Sequence, residues 1–247
     1  MSTQGILTAA DERMEWLLPW WWERVREHNQ LPIAVVDFGM SHFGKAFCEE
    51  RGILLPFSLD DPLDTSTPHA EKWAPICGEI FFENRKRWML KPFAFQLTPF
   101  ERTLWLDLDC EVLASLDLLF TLEGDFWLAQ ENEPSLRRAR EEKLIAEDEM
   151  LYNSGVIVYS QGSSIIKQWG EMVIEEGEDF WSDQHVLSRM IHRDEIPVGV
   201  LSSNYNWRMT GGLNLHAVII HWVGSWGKEY IRLHGGIGSQ LSALPKI

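Results

Sequence analysis

The strongest constraint on the fold is an apolar run that ends in two acids, Thr-Leu-Trp-Leu-Asp-Leu-Asp at residues 103–109. An apolar run of this kind is typical of a strand buried on both faces of a parallel sheet. Alternate residues of an extended chain share one face, so Asp107 and Asp109 can point at one ion. Their oxygens suit Mg or Mn bridging to phosphate groups. Solvated acids are also ordinary at strand ends, so other motifs must decide whether this pair is a metal site.

The composition fits one globular α/β domain. The chain has 247 residues, of which 45% are hydrophobic and 24% charged, and α/β folds run as single domains of roughly 200 to 250 residues. No apolar run approaches the ~18 residues that a membrane span needs. The first residues lack a basic region leading into an apolar one, so we expect no secretory signal and a cytoplasmic location. We therefore predict a single domain over residues 1–247.

Net charge and cysteine content narrow the range of possible ligands and functions. A net charge of -15 repels nucleic acid and anionic lipid, because binding either depends on neutralising phosphates with Lys and Arg. The negative charge of a phosphate ligand must then be neutralised at the binding site itself, and a divalent cation can do this. Cys48, Cys77 and Cys110 are odd in number and show no Cys-x-x-Cys spacing, so we expect reduced, mostly buried thiols.

Strand and helix patterns alternate along the chain, which predicts a largely parallel sheet. In such sheets ligands bind outside the carboxyl ends of the strands, where the acid pair lies. Residues 58–68 are typical of an exposed loop, and the highly charged helical stretch 135–149 is typical of a solvated flap. The predicted strands are 5–10, 33–38, 53–57, the acid-pair strand within 103–112, 125–130, 152–159, 196–201 and 217–223; the predicted helices are 12–28, 41–51, 84–97, 163–175 and 183–192.

Five motifs follow one another in a fixed order: WLDLDCEVLASLDLLF at 105–120, YNSGVIVY at 152–159, WSDQHVLSRMI at 181–191, LSSNYNWR at 201–208 and HWVGSWGKEY at 221–230. In this order they resemble the motifs of the retaining nucleotide-sugar glycosyltransferases of the GT-A fold, the group that contains glycogenin and the bacterial lipopolysaccharide galactosyltransferases. The resemblance implies a Rossmann-like α/β domain with a mixed, mainly parallel central sheet flanked by helices.

The resemblance also implies a metal site. It makes His221 the third ligand beside Asp107 and Asp109, whereas a lone His after an apolar run is more often a hydrogen-bonded structural residue. An imidazole among carboxylates favours Mn over Mg, because nitrogen ligands bind later transition ions better.

Two further motifs are implied to bind the donor sugar. Asn153 and Ser154 lie against it, although an Asn-Ser-Gly sequence is also typical of a turn before a strand. Gly155 lets the backbone approach closely. By resemblance, Asp183 binds sugar hydroxyls and Gln184 lies beside the anomeric carbon, where it stabilises positive charge. The plainer alternative is that Asp183, or the serine before it, caps a helix.

The remaining implied contacts concern the nucleotide. Lys228 contacts phosphate, but it stands one residue later than the family's lysine. Asp11 belongs to the base-binding segment, where Met14 replaces the usual aromatic residue, so base stacking falls to Trp16 or is absent. Lys91 and Arg87 share a helical face; Lys91 is the stronger candidate for a contact with the donor, and plain solvation is the alternative. Ala9, Leu108 and Gly224 complete the implied donor contacts, and Trp207 and Trp226 stand out among the 13 tryptophans, most of which we expect in the core.

The function implied by the resemblance is transfer of a sugar from a nucleoside diphosphate, a UDP-sugar, to a hydroxyl of a glycan, lipid-linked or protein acceptor with retention of configuration. Two alternatives remain open from the residues. A phosphatase with an aspartyl nucleophile also has Asp-x-Asp after an apolar strand, although its motif usually opens the chain. A carbohydrate-binding or sugar-nucleotide-binding protein that has lost turnover would fit Met14 and the late Lys228.

Overall fold

The computed structural model describes residues 3–59, Trp73 and residues 84–238, in which strands and helices alternate. The strands are β1 Gln4–Ala10, β2 Ile33–Asp37, β3 Ile53–Pro56, β4 Arg102–Leu106, β5 Cys110–Val112, β6 Phe126–Gln130, β7 Tyr152–Ser160, β8 Gly199–Leu201 and β9 Ile219–His221. The helices are α1 Leu18–His28, α2 His42–Arg51, α3 Lys91–Gln96, α4 Glu133–Glu141, α5 Ser164–Glu176, α6 Asp183–Arg193 and α7 Gly224–His234.

Seven strands form the central sheet, in the order β3-β2-β1-β4-β7-β6-β8. Strand β7 runs antiparallel to both of its neighbours, and the other neighbouring pairs are parallel. The prediction of a mixed, mainly parallel α/β sheet is therefore confirmed. Strands β5 and β9 form a separate antiparallel ribbon, in which Cys110 pairs with His221.

Apolar side chains cover both faces of the sheet. Leu104 and Leu106 of β4 pack in one core cluster with Trp21 of α1, whereas Trp105, between them, packs in a second cluster with Trp169 of α5. This alternation follows from the two-residue period of a strand. Because both faces are buried, β4 is apolar from Leu104 to its end at Leu106, and the acids follow directly after it.

Three predicted elements differ from the structure. The acid pair is not in an extended strand: residues 107–109 form a turn in which the Cys110 N–H donates to the Asp107 carbonyl at 3.0 Å. The helix predicted over 84–97 is broken at residues 89–90, because Pro92 lacks an N–H and its ring clashes with a preceding carbonyl. The last strand is only Ile219–His221 and joins β5 rather than the central sheet.

The prediction that residues 135–149 form a solvated flap is wrong for the side of this segment that packs against the rest of the chain. Helix α4 ends at Glu141, and Leu136, Ala139 and Ile145 are buried in a small apolar cluster. Glu149 is fully buried and lies 2.9 Å from the Nε of Arg189. The few apolar residues of this stretch are therefore enough to anchor it.

Cys48 and Cys110 are free and buried, as predicted. Burial raises the pKa of Cys48 to about 12. Cys77 and most of the loop predicted over 58–68 lie outside the described residues. Among the described helices, none has the combination of length and apolarity that crossing a bilayer requires.

Candidate functional site

Asp107 lies directly after β4, at the carboxyl edge of the sheet. Its Oδ1 accepts a hydrogen bond from the indole Nε1 of Trp105 at 2.8 Å, and its Oδ2 accepts one from the Nζ of Lys91 at 2.8 Å. Both oxygens are therefore held in place by side chains that the neighbouring β4 and α3 supply. The carboxylate keeps an exposed side, since one fifth of its side-chain surface is accessible.

The β5–β9 ribbon brings Asp109 and His221 together. The Trp222 N–H donates to the Asp109 carbonyl at 2.9 Å, which holds the chain after His221 against the turn that carries Asp109. The His221 Nε2 lies 3.1 Å from Asp109 Oδ1 and 3.8 Å from Asp107 Oδ2. A ring nitrogen of His221 thus lies near a carboxylate oxygen of each of the two predicted acid ligands.

Lys228 also reaches these residues, from the first turns of α7. Its Nζ donates to Asp109 Oδ2 at 2.6 Å. Burial alone would raise the pKa of Asp109, but the positive charge of Lys228 opposes burial, as does His221 while its ring is doubly protonated, and this pKa lies well below its ordinary value. The late position of Lys228 in the sequence therefore does not remove it from the site.

The chemistry of this group fits a divalent cation. The Nδ1 of His221 lies 2.9 Å from the Oδ1 of Asn206, whose amide nitrogen is turned towards Asn153, so Nδ1 is the ring's donor and Nε2 carries a lone pair. That lone pair faces two carboxylate oxygens, and a cation between them would turn repulsion into coordination. Two oxygens and one imidazole nitrogen suit Mn or Mg.

Cys110 lies within the same group, with its ligand atom within 4.8 Å of those of Asp109 and His221. Burial raises the pKa of Cys110 well above its ordinary value, with Asp109 and Asp107 adding to the rise. A protonated thiol is a poor metal ligand. A bound metal ion would itself lower a thiol pKa, so the choice of Asp107 as third ligand rests on the motif resemblance and on its 3.8 Å contact with the His221 Nε2.

A second cluster joins Lys91 to Asp183. The Ser154 hydroxyl donates to Asp183 Oδ2 at 2.6 Å, and the Lys91 Nζ lies 3.1 Å from that hydroxyl and 3.8 Å from Asp183 Oδ2. Burial lowers the pKa of Lys91, but Asp107 and Asp183 outweigh it and leave this pKa above its ordinary value. Burial raises the pKa of Asp183, and Lys91 opposes that rise. Lys91 thus bridges the acids of the two predicted subsites.

Asn153 and Gln184, the predicted sugar-binding amides, contact each other and Glu131. The Asn153 Nδ2 donates to Gln184 Oε1 at 3.2 Å and to Glu131 Oε1 at 2.8 Å, while the Gln184 Nε2 donates to Glu131 Oε1 at 3.1 Å. Asn153 and Glu131 line a cavity of about 330 Å³, together with Asn206, Trp207 and Arg208.

No protein-family profile matches the chain, and no curated protein sequence does. Solved structures do match. The galactosyltransferase LgtC, crystallised with donor and acceptor sugar analogues, is 18% identical, with 98% of each chain covered and a TM-score of 0.65. Mouse xyloside xylosyltransferase 1 is 16% identical, with 90% of this chain and 97% of that chain covered and a TM-score of 0.57. GlyE of Streptococcus pneumoniae is 15% identical, with 91% and 55% covered and a TM-score of 0.58.

The fold is that of these glycosyltransferases. At such identities the likeness extends to the fold, which confirms the fold expected from the five motifs.

Within this glycosyltransferase fold, the predicted base-binding segment follows β1. Ala9 pairs with β2 inside the sheet, and Asp11 closes a turn by accepting from the N–H groups of Arg13 and Met14. Arg87 is half exposed, with its Nε 3.6 Å from Asp11 Oδ2. Arg87 therefore belongs beside Asp11 and not beside Lys91, because the break at residues 89–90 ends the helical face that the two were predicted to share.

The other residues predicted to contact the donor or acceptor differ in how accessible they are to a ligand. Leu108 is buried in the apolar core, so its backbone, and not its side chain, is what a ligand could reach. Gly224 begins α7 with a positive φ of 82°, which favours glycine. Trp207 lines the cavity, and Trp226 is 60% exposed beside Tyr230.

Glu131, Asn206 and Arg208 were missed by the sequence interpretation. Glu131 had a usable signal, because it directly follows the predicted strand 125–130 just as Asp107 follows β4. Asn206 and Arg208 lay inside the noted LSSNYNWR motif, where only Trp207 was singled out. No local pattern marks them, since their partners are distant in sequence.

The residue after Gln184 supports a prediction about acid stability. Burial lowers the pKa of His185 from 6.5 to about 4, and the charge of Arg189 adds to this. Between these two values the unfolded chain binds a proton here that the folded chain does not, so the free energy of unfolding falls as pH falls. The contribution is on the order of 3 kcal/mol, complete by about pH 4. Urea titrations from pH 7 to pH 4 should show a shallower decline for His185→Gln; an identical decline would contradict the assignment.

Proposed function

We propose that this chain is a metal-dependent glycosyltransferase, acting as one domain, that moves a sugar from a UDP-sugar to a hydroxyl acceptor with retention of configuration. The observation that carries the proposal is the position of the His221 Nε2 at the carboxyl edge of the sheet, 3.1 Å from Asp109 Oδ1 and 3.8 Å from Asp107 Oδ2. The glycosyltransferase fold supports the reaction class. The motif resemblance supports the nucleotide donor and retention.

Asp107, Asp109 and His221 would hold the metal ion, with Mn favoured by the imidazole. When bound, the ion supplies Lewis-acid stabilisation of the departing diphosphate. Lys228 stands next to this position, with its Nζ on Asp109, and can add a second positive group for a phosphate oxygen.

The sugar would lie over Asn153, Asp183 and Gln184. Asp183 is a buried acceptor for sugar hydroxyls, and its carboxylate is held by Ser154 and Lys91. Gln184 has its amide fixed between Asn153 and Glu131, so it can present a constant dipole to the anomeric carbon without reorganising. The cavity that Asn153 helps to line, about 330 Å³, is in the size range of ligand pockets, and we assign it to the acceptor.

The aspartyl-phosphatase alternative fits this site less well. A nucleophilic aspartate needs a free carboxylate oxygen aimed at the phosphorus. Asp107 has one oxygen bound by Trp105 and the other by Lys91, each at 2.8 Å, and Asp109 is paired with Lys228 and His221. Each of these oxygens keeps a second lone pair for a metal ion, but none is the unpartnered oxygen that a nucleophile uses.

Thermal denaturation with a panel of nucleotide sugars tests the proposal. A ligand at 100 times its dissociation constant adds ~2.7 kcal/mol of stability, which corresponds to a Tm rise of about 5 to 10 °C for a chain of this size. We expect this rise with a UDP-sugar plus Mn²⁺, and its loss when a chelator replaces Mn²⁺.

The same panel separates the alternatives. Release of UDP from the stabilising UDP-sugar, with Mn²⁺ and an acceptor present, would support transfer. Stabilisation with no release of UDP would indicate a binding protein. Hydrolysis of a simple aryl phosphate in the absence of any nucleotide sugar would instead select the phosphatase.

A further inference from the structure

A chain of hydrogen bonds leads from Glu131 to the candidate metal ligand His221. Glu131 Oε1 accepts from the Asn153 Nδ2 at 2.8 Å, Asn153 Oδ1 accepts from the Asn206 Nδ2 at 2.7 Å, and Asn206 Oδ1 lies 2.9 Å from the His221 Nδ1. These side chains come from the residue directly after β6, from β7, from the loop before β9 and from β9 itself. Glu131, Asn153, Asn206 and His221 are each less than one tenth exposed.

The direction of this chain is fixed at its Glu131 end. An ionised carboxylate can only accept hydrogen bonds, so Asn153 must turn its amide nitrogen towards Glu131 and its oxygen towards Asn206. The backbone N–H of Gly155, which can only donate, meets the same Asn153 oxygen at 2.9 Å. Asn206 must then turn its nitrogen to Asn153 and its oxygen to the histidine ring. The ring is left with its proton on Nδ1.

This direction opposes the tautomer that the carboxylates would otherwise select. With a proton on Nε2, the ring would donate to Asp109 Oδ1, which lies 3.1 Å away, and the nitrogen could not bind a metal ion. With the proton on Nδ1, the Nε2 lone pair is available. The Nε2–H tautomer therefore prevents the ring from binding a metal ion, and the Nδ1–H tautomer allows it.

We propose that Glu131 is a positioning residue that acts through Asn153 and Asn206 to hold His221 in the tautomer that can bind a metal ion. The inference rests on the metal site of the proposed function. In the described part of the chain, Glu131 reaches His221 only through these two amides. Arg208, whose guanidinium has only donors, donates to the same Glu131 oxygen.

Two substitutions of Glu131 separate this role from a simple effect of charge. Glu131→Gln removes the negative charge but keeps a carbonyl oxygen that Asn153, Gln184 and Arg208 can share. Glu131→Met removes the acceptor as well. Second partners of metal-bound histidines typically contribute 10- to 100-fold in metal affinity. We expect Glu131→Met to weaken Mn²⁺ binding by about tenfold or more and Glu131→Gln to weaken it by less than about threefold.

Titration of the full chain with Mn²⁺, followed by the electron paramagnetic resonance signal of the free ion, measures this affinity without any sugar donor. Glu149→Met is the matched control, because Glu149 is an equally buried carboxylate paired with an arginine, Arg189, but lies outside the chain of bonds. We expect wild-type Mn²⁺ affinity from it. If Glu131→Met does not fold, the double variant Glu131→Met with Arg208→Met removes both charges together.

The histidine tautomer itself is read by long-range proton–nitrogen NMR of the metal-free chain at ~pH 8.5, well above the ordinary histidine pKa. The His221 signals are identified by their loss in His221→Gln. We expect the Nδ1–H form in the wild type and Glu131→Gln, and a shift towards the Nε2–H form in Glu131→Met. Equal loss of Mn²⁺ affinity in both variants, or an unchanged tautomer in Glu131→Met, overturns the inference. Absence of Mn²⁺ binding by the wild type would refute the proposed metal site, and the tautomer measurement would still decide the role of Glu131.

Discussion

Replacement of Asp109 by Asn is expected to lower Mn²⁺-dependent turnover of the sugar donor by about 10³-fold, which corresponds to ~4 kcal/mol of transition-state stabilisation. Of the two candidate ligand acids, Asp109 lies closer to His221, and it also accepts a hydrogen bond from Lys228 at 2.6 Å. Asn keeps the size of the side chain but removes the charge that would hold both the ion and the lysine. Initial rates of UDP release with saturating Mn²⁺ measure the effect.

The control for this variant is Asp117→Asn. Asp117 is an exposed acid in the short helix Asp117–Thr121, so the same chemical change there should leave turnover at the wild-type value. Undiminished turnover in Asp109→Asn, with the Asp117→Asn control active, would remove Asp109 from the ligand set. A loss of turnover that is matched by unfolding in a thermal scan would not count as support, so both variants are compared at equal folded fraction.

The sequence predicted which acids and which imidazole meet, but it predicted the local geometry of the acids wrongly. The prediction placed Asp107 and Asp109 on one face of an extended strand, whereas they lie in a turn between β4 and β5. The motif order carried the information that His221 returns to this turn, and its Nε2 lies 3.1 Å from Asp109 Oδ1; whether these residues bind a metal ion stays a prediction. That return depends on the pairing of β5 with β9, a contact between residues far apart in sequence that periodicity does not report.

In the helical regions too, patterns within a segment predicted the helix, but contacts with distant residues decided where it begins and which side chains are buried. Residues 12–28 were predicted as one helix, but Asp11 first closes a turn with the backbone N–H of Met14, so α1 begins only at Leu18. In the charged stretch, an excess of polar residues concealed the burial of Leu136 and Ala139. Burial of a few side chains depends on what packs against them, which the sequence of that segment alone does not contain.

The partners of the site were the hardest part to predict. Glu131, Asn206 and Arg208 are polar residues whose roles follow from amides and a ring on other elements. Lys228 illustrates the opposite case: the sequence offset of one residue made its contact uncertain, but the first turns of α7 still carry its flexible side chain to Asp109. A long side chain can absorb an offset that a short amide cannot.

Replacement of Gly155 by Ala is expected to abolish the Mn²⁺-dependent rise in Tm while leaving the chain folded. A Cβ at Gly155 would lie 2.7 Å from the Nδ1 of His221 and 3.0 Å from the Oδ1 of Asn153, so the histidine ring must move. Gly155 also accepts from the Asp107 N–H at 2.9 Å, which places the clash between two of the three ligands. Overpacking of this kind costs about 1–3 kcal/mol of stability, and we expect Mn²⁺ affinity to fall by about 100-fold or more.

Gly170→Ala is the matched control, because a Cβ there would meet only side-chain atoms, at 3.2 Å or more, of Gln96 and Phe93. Gly170 lies inside α5, where alanine favours the helix by up to about 1 kcal/mol, so its Mn²⁺ response should match the wild type. If Gly155→Ala instead retains wild-type Mn²⁺ affinity, the ion does not depend on the position of the His221 ring. In that case Asp107 and Asp109 would have to bind it with ligands from elsewhere, and the site would be an acid pair without its imidazole.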